Sequence, residues 1–250
     1  MGIKMNLQEF FLSVWTRFDR AFLVEDRWKL YLEGLGNTLL IALMATIIGV
    51  VLGIIFAVIN YVNKKTGKLK PLSVIANIYI TVVRGTPVVL QLMIMYFVVF
   101  VSWNFDVTVG GVELFDSSLL IGAITFGLNS AAYVAEITRA GFEAVDDGQR
   151  EAGRSLGLST AQTMWYIIIP QAIKNILPAL GNELIALLKE TSVAGYVAVI
   201  DLTRAGNLIR NNTYDAVNPL MVVALTYLAL VILLTNLLKR FEKRLAGANS

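Results

Sequence analysis

Cysteine and histidine are both absent from this chain of 250 residues. Because there is no cysteine, the chain forms no disulfide bond and offers no thiolate as a metal ligand or nucleophile. Because there is no histidine, imidazole metal sites, histidine-containing catalytic triads and histidine proton relays are also excluded. We therefore expect no catalytic residue and no metal site, and we do not expect the chain to be an enzyme.

Charged residues are scarce as well. They make up 16% of the chain, against 56% hydrophobic residues and a mean hydropathy of +0.67. This composition is too apolar for an ordinary soluble domain and indicates a protein of the lipid bilayer. We expect no nucleic-acid partner.

Long apolar runs predict about five transmembrane helices, since a helix needs roughly 20 apolar residues to cross the hydrocarbon core. The runs are apolar on all sides rather than alternating, which favours helices over a β-barrel. The predicted fold is therefore all-α and polytopic, with spans at residues 35–62, 72–103, 117–142, 172–199 and 217–238.

The first 33 residues differ in character from the rest. Their apolar stretch Phe10–Trp15 is soon interrupted by charges such as Arg17, unlike the core of a cleaved signal peptide. We interpret residues 10–30 as an amphipathic helix at the membrane interface, and residues 34–250 as the transmembrane domain.

Lysine and arginine are distributed unevenly between the segments that join the spans. More of them follow the first, third and fifth predicted spans than lie in the other segments. Since basic residues favour the cytoplasmic side, we predict that the N-terminus lies outside and the C-terminus in the cytoplasm. This orientation places the polar loop at residues 143–171 in the cytoplasm.

The second and third predicted spans contain polar residues. Arg84-Gly-Thr-Pro87 interrupts the second span, and its proline predicts a kink because it removes a backbone donor. Arg84 then either faces a cavity or extends to the lipid headgroups. In the third span Asn129, Tyr133 and Glu136 share one helix face, which lines a water-filled path or bonds to a neighbouring helix.

The fourth predicted span contains Glu183 and Glu190, whose spacing of two helical turns also places them on one face. Lys189 precedes the second of these, so the two carboxylates either line a polar path or pair with nearby charges.

The polar loop contains the sequence Glu151-Ala-Gly-Arg-Ser-Leu-Gly157, then nine residues, then Ile167-Ile-Ile-Pro170. A helix that stops at Gly157 and a new N-cap at Ser159 predict two short helices at a bend. Two short helices that protrude in this way fit a cleft in a partner protein. The alternative is an ordinary solvated loop.

These motifs carry a resemblance to a known family. The spacing across residues 151–170 is similar to the loop by which an ABC-transporter membrane subunit holds its ATPase, with Gly153 replacing an alanine and Ile169 a leucine. From about residue 34 onwards, the chain resembles the permease subunits of polar amino-acid ABC importers for histidine, glutamine, glutamate or arginine. The further motifs are Arg84–Pro87 with Gln91, Asn129–Glu136 with Arg139–Gly141, Gly148–Gln149, Pro170–Ala172, Leu177–Asn182 and Leu188–Ser192.

That resemblance implies a type I ABC importer fold in a bacterial inner membrane, together with several partners. These are a second permease subunit, identical or related, cytoplasmic ATP-binding subunits, and an extracellular amino-acid binding protein. The chain itself has no Gly-x4-Gly-Lys-Ser/Thr phosphate loop. ATP and Mg²⁺ are therefore expected on a separate ATPase, with no cofactor in this chain.

The resemblance also suggests roles for individual residues. An amino acid carries an ammonium and a carboxylate, and a site of low dielectric must match both. Glu136 or Glu183 could meet the ammonium, and Arg84 could bind the carboxylate bidentately. The expected substrate-binding residues are Arg84, Gln91, Asn129, Tyr133, Glu136, Glu183 and Ser192. The expected ATPase-coupling residues are Arg150, Glu151, Ala152, Gly153, Arg154 and Gly157.

Two alternatives belong to other functional classes. An ion-coupled secondary transporter of small polar solutes would use the carboxylates within the spans, but an odd number of spans without visible inverted repeats argues against it. A membrane scaffold that only docks a soluble partner would leave the charged residues within the spans unexplained.

Overall fold

The computed structural model of the protein describes residues 7–102, 107–109 and 112–247. Most of this part is helical, which confirms the predicted fold class. The α-helices are α1 (Leu7–Phe22), α2 (Trp28–Thr66), α3 (Lys70–Arg84), α4 (Val88–Ile94), α5 (Ser117–Glu143), α6 (Asp147–Ser155), α7 (Thr160–Thr163), α8 (Ile169–Glu190), α9 (Leu202–Thr213) and α10 (Asn218–Gly247). Shorter 3₁₀ segments lie at Val24–Asp26 and Thr191–Val197, and π-helical segments at Met95–Val99 and Met164–Ile168.

A small antiparallel hairpin joins α4 to α5. Its strands are β1 (Val107–Val109) and β2 (Val112–Phe115), with Val109 paired to Val112. The all-helical prediction did not include this hairpin.

Helices α2 and α5 form the central pair of the fold. A buried small residue recurs at every fourth position of α2, at Ala45, Gly49, Gly53 and Ala57. A Cβ added to Gly53 would lie only 2.6 Å from the Cβ of Val134 on α5. Small residues allow this close backbone approach, which is how helices associate where lipid removes the hydrophobic drive between them.

The core beside this pair is built by several helices. Ile41 of α2, Leu92 of α4, Phe126 of α5 and Leu187 of α8 are all buried and pack together. Helices α2, α4, α5 and α8 therefore share one apolar core, and the polar side chains on these helices are held in place by it.

The second predicted span is broken rather than merely kinked. The axis of α3 and that of the helical stretch Val88–Val99 are inclined by 108°. Pro87 has no N–H to donate, so the break leaves backbone carbonyls without helical partners. The Gln91 side chain compensates, since its Nε2 donates to the Val83 carbonyl at 2.8 Å and to Thr86 Oγ1 at 2.8 Å.

The fourth predicted span, residues 172–199, ends earlier than expected. Helix α8 stops at Glu190, and the 3₁₀ segment follows. The sequence analysis also missed α9, which starts at an N-cap: Asp201 accepts hydrogen bonds from the backbone N–H groups of Thr203 and Arg204, both at 3.1 Å. Burial raises the pKa of the Asp201 carboxyl in spite of these bonds.

Three helical stretches of the described chain are long and apolar enough to cross a membrane, and the bent α3–α4 pair adds a fourth when it is counted as one broken span rather than as a re-entrant loop. The three are Val24–Thr66, Ser117–Glu143 and Asn218–Arg244. All four agree with predicted spans. Helix α8 is long enough, with 22 residues, but Lys174, Glu183 and Lys189 lower its hydropathy.

The N-terminal helix is shorter than the predicted amphipathic helix at residues 10–30. Glu25 and Asp26 have positive φ angles of 57° and 55°, which interrupts the helical backbone after α1. Helix α2 therefore begins at Trp28, before the first predicted span. The rings of Phe22 and Tyr31 stack at 5.9 Å and tie α1 to α2.

Candidate functional site

A charged and aromatic cluster lies between the end of α3 and the middle of α5. The guanidinium carbon of Arg84 is 5.5 Å from the ring centroid of Tyr133, a cation–π geometry. Nη1 of Arg84 is 3.9 Å from Oε1 of Glu136. Arg84 therefore turns towards α5.

Glu136 is held more tightly by Arg139, one turn further along α5. Nε and Nη2 of Arg139 donate to Oε1 of Glu136 at 3.0 and 2.5 Å. Arg139 also pairs with Glu143, which forms an ion pair of 3.3 Å with Lys64 of α2. A ladder of alternating charges thus runs from the helix break to the end of α2, and arginines of this chain neutralise Glu136.

The amides of Gln91 and Asn129 complete this cluster. Nδ2 of Asn129, which is buried, donates to Oε1 of Gln91 at 3.0 Å. Both side chains therefore bond to the protein itself and help to fix the α3–α4 break against α5. Five predicted substrate residues meet here: Arg84, Gln91, Asn129, Tyr133 and Glu136.

Glu183 lies in a different environment, between α8 and α5. Its Oε1 accepts a hydrogen bond of 2.9 Å from the buried hydroxyl of Ser130. Helix α2 packs closely against this serine, because a Cβ on Gly49 would lie 2.8 Å from Ser130 Oγ. Within the described part of the chain, Glu183 forms no ion pair with a lysine or arginine.

Ser192 lies in a third place. It lines a cavity of about 600 Å³ between the 3₁₀ segment and α9, with Tyr196, Asp201, Arg204 and Asn207 among its other lining residues. The predicted substrate residues are therefore divided between the helix break, the Ser130–Glu183 pair and this cavity.

The polar loop is built from local capping signals. Asp146 caps α6, since its Oδ1 accepts from the N–H of Gly148 at 2.6 Å. At the other end, the N–H of Leu158 donates to the carbonyl of Gly153 and that of Gly157 to the carbonyl of Arg154, at 3.1 and 3.0 Å. This is a Schellman motif, and Gly157 takes its left-handed position with φ of +86°. The predicted glycine stop is confirmed.

A new helix begins directly after the bend. Ser159 and Gln162 form a capping box, in which each side chain accepts from the backbone N–H of the other, at 3.3 and 2.9 Å. Helix α7 then continues through the π-helical segment into α8. The loop therefore holds one separate short helix, and the second predicted short helix is the start of a long one.

The predicted coupling residues differ in exposure. Gly153 is buried, and a Cβ there would lie 2.8 Å from Cγ2 of Thr163 and 2.9 Å from Cδ1 of Ile167. Its small size serves the packing of α6 within the chain. Arg150 is partly buried and pairs with Asp147 at 2.7 Å. The exposed members of the set are Glu151, Ala152, Arg154 and Gly157.

An exposed leucine beside Gly157 was missed by the sequence analysis. Leu156 is 80% exposed although the loop around it is polar. Single exposed apolar residues are common on protein surfaces, so the sequence around this leucine carried no signal for it.

Residues 49–247 match the protein family described as binding-protein-dependent transport system inner membrane component. The match spans most of the chain. It includes the cluster at the helix break, the Ser130–Glu183 pair and the α6 loop. The chain belongs to this family. The secondary-transporter alternative is therefore not favoured, and the chain is a transport subunit rather than an enzyme.

Relatives of this inner membrane component match over nearly their whole length. The arginine transport system permease protein ArtQ of Bacillus subtilis is 39% identical over 214 residues, which cover 86% of this chain and 91% of that protein. The glutamine transport system permease protein GlnP of Escherichia coli is 34% identical over 216 residues, covering 86% and 93%.

A solved structure agrees with these relatives. The crystal structure of an amino acid ABC transporter with histidines is similar with a TM-score of 0.75 and 36% identity, covering 98% of this chain and 100% of that one. The inner membrane component thus has the type I ABC importer fold and is a permease subunit of an ABC transporter.

Proposed function

We propose that this permease subunit imports a polar amino acid delivered by an extracellular binding protein. The observation that carries this proposal is the similarity to arginine and glutamine permeases across more than four fifths of each chain. The polar clusters within the apolar helices support it, because a charged residue in a span is costly unless it serves a path or a partner.

The α6 loop is proposed as the docking element for a separate ATPase subunit. Its exposed surface combines the charged Glu151 and Arg154 with the apolar Leu156 at a rigid bend. Capping at both ends fixes this shape without the partner. ATP and Mg²⁺ bind to the ATPase, and movement of its subunits is transmitted through α6 and α7 to α8.

Glu183 is the better candidate for the substrate ammonium. Glu136 already has Arg139 and Arg84 as partners, so an incoming cation would have to displace an arginine. Among the described residues, Glu183 has a hydrogen bond from a serine hydroxyl and no ion pair. A partly buried carboxylate without a cation is costly, and a substrate ammonium offsets that cost.

The assembly contains a second permease subunit, identical or related, with the N-terminus of each outside and the C-terminus in the bacterial cytoplasm. Basic residues after α2 and at the end of α10 support this orientation. It puts α6 on the side of the membrane where ATP is available.

The proposal is tested by uptake into vesicles. The permease would be reconstituted with its co-purified ATPase and binding protein, and labelled arginine, glutamine, glutamate, histidine and leucine would be supplied outside with ATP inside. Uptake of one polar amino acid, lost with a non-hydrolysable ATP analogue and unaffected by ionophores, is expected. Uptake that continues without ATP and collapses with the ion gradient would contradict the proposal.

A further inference from the structure

A cavity of about 500 Å³ lies where α2 and α5 end and α6 begins. It belongs neither to the Ser130–Glu183 pair nor to the exposed face of α6. Its charged lining consists of four cations from three helices and two carboxylates: Lys64, Lys65, Arg139, Arg150, Glu143 and Asp147. Positive charge is therefore in excess.

The described carboxylates of the chain do not pair with all of the lysines and arginines that line this cavity. Lys64 and Arg139 share Glu143, and Nη1 of Arg150 binds Asp147. Within the described chain, however, Lys65 forms no ion pair. Nε of Arg150 is buried and has no hydrogen-bond partner among the residues that the structure describes. A buried donor without an acceptor is destabilising. A ligand oxygen that accepts a hydrogen bond from this N–H would remove that cost.

Helix dipoles explain only part of this charge. Lys64 and Lys65 occupy the last turn of α2, where the negative end of the helix favours cations. Arg150 is the fourth residue of α6, near the positive end of that helix, where a cation is disfavoured. Asp147 at the start of α6 pairs with Nη1 of Arg150, but among the described residues Nε of Arg150 has no hydrogen-bond partner.

We propose that this cavity binds a phosphate group. It lies at the end of the apolar span of α2, which is the level of lipid headgroups. Basic pockets between membrane helices suit anionic headgroups, with lysine as a point charge and arginine as a planar donor. The rings of Tyr61 and Phe142 also line the cavity and offer apolar surface to the glycerol part of a phospholipid.

The test is a ligand titration on the full-length permease purified with its ATPase in non-ionic detergent. The probes are short-chain phosphatidylglycerol, short-chain phosphatidylcholine and inorganic phosphate, and the readout is the thermal unfolding temperature as a function of probe concentration. Phosphatidylglycerol is expected to stabilise the wild type with saturation. Lys65→Gln should require about fivefold more of it.

Lys68→Gln is the matched control, because Lys68 is also exposed and follows α2 by two residues but does not line the cavity. It should titrate like the wild type. Arg150→Gln provides a second test and should also weaken binding. Phosphatidylcholine is expected to bind more weakly, because its choline carries a positive charge. Saturation by inorganic phosphate without an effect of phosphatidylglycerol supports the site and assigns it to soluble phosphate. Equal affinity of the wild type and Lys65→Gln for both phosphate and phosphatidylglycerol, or equal loss with Lys68→Gln and Lys65→Gln, would overturn the proposal.

Discussion

At the scale of single residues, identical side chains acquire different roles from their neighbours. Glu136 and Glu183 are both carboxylates within apolar helices and both were candidates for the substrate ammonium. Arg139 and Arg84 neutralise the first, while the second accepts a hydrogen bond from Ser130 and has no cationic partner in the described part of the chain. The two residues should therefore respond differently to loss of charge.

Glu183→Gln retains the size of the side chain and the hydrogen bond from Ser130. If the carboxylate meets a substrate ammonium, removing its charge should cost about 3–5 kcal/mol, which reduces occupancy of the site roughly a hundredfold or more. Uptake into reconstituted vesicles with saturating binding protein measures this loss, and basal ATP hydrolysis verifies assembly.

Glu136→Gln is the comparison for that experiment. It should change uptake less than Glu183→Gln, because Arg139 keeps Glu143 as a partner. If the Glu136 variant loses uptake while the Glu183 variant transports normally, the assignment of the ammonium to Glu183 is wrong.

At the scale of elements, the α6 loop is shaped by its own backbone. Gly157 and Gly67 both have left-handed conformations, with φ of +86° and +67°, and a Cβ at either position would meet no atom within 4 Å. A non-glycine residue costs about 1–2 kcal/mol in this conformation. The two glycines thus form a matched pair on different loops.

Gly157→Glu should detach the ATPase or uncouple its hydrolysis from uptake, because the new side chain stands at the bend that we assign to docking. Gly67→Glu introduces the same strain and charge after α2. It should lower stability by a similar amount without changing the ATP hydrolysed per substrate. Co-purification of the ATPase and that ratio are the measurements, and normal coupling in the Gly157 variant would argue against the docking role.

Helix α6 also packs on the helix that follows it. Gly153→Leu would place its Cβ within 3 Å of Thr163 and Ile167, and overpacking of this kind costs about 1–3 kcal/mol. We expect a lower unfolding temperature in detergent for this variant. Ala152→Leu, on the exposed face, should keep the wild-type temperature but weaken retention of the ATPase.

A lower unfolding temperature for Ala152→Leu and an unchanged one for Gly153→Leu would show that α6 faces the other way from the arrangement described. In that case the glycine, and not the alanine, would belong to the docking surface.

At the scale of the whole molecule, orientation decides which partners each surface meets. The chain has no cysteine, so a single introduced cysteine reports its own side of the membrane. Lys68 follows α2 and Asn212 lies in α9, and both are exposed. An impermeant thiol reagent applied to intact cells should label Asn212→Cys and leave Lys68→Cys unlabelled.

Both cysteines should react after the cells are opened, which verifies that each is accessible. Labelling of Lys68→Cys alone in intact cells would reverse the orientation and remove α6 from the cytoplasm. The proposed ATPase docking would then fail with it.

The sequence by itself determined the features that depend on local signals. Apolar runs determined the fold class and the bounds of α5, Gly157 determined the end of α6, and Pro87 determined where α3 ends. Each reflects a constraint within a few residues: hydrocarbon thickness, a positive φ angle or a missing N–H. The capping residue Asp201 carried the same kind of signal for α9.

Only the tertiary structure decided which polar residues meet. The 108° angle between α3 and α4 brings Arg84 to Glu136, and the packing of α8 against α5 places Glu183 beside Ser130. Likewise, Gly153 faces inwards because Thr163 and Ile167 pack against it. These outcomes depend on contacts between residues distant in the chain, so periodicity along one helix gives the face of a side chain but not its partner.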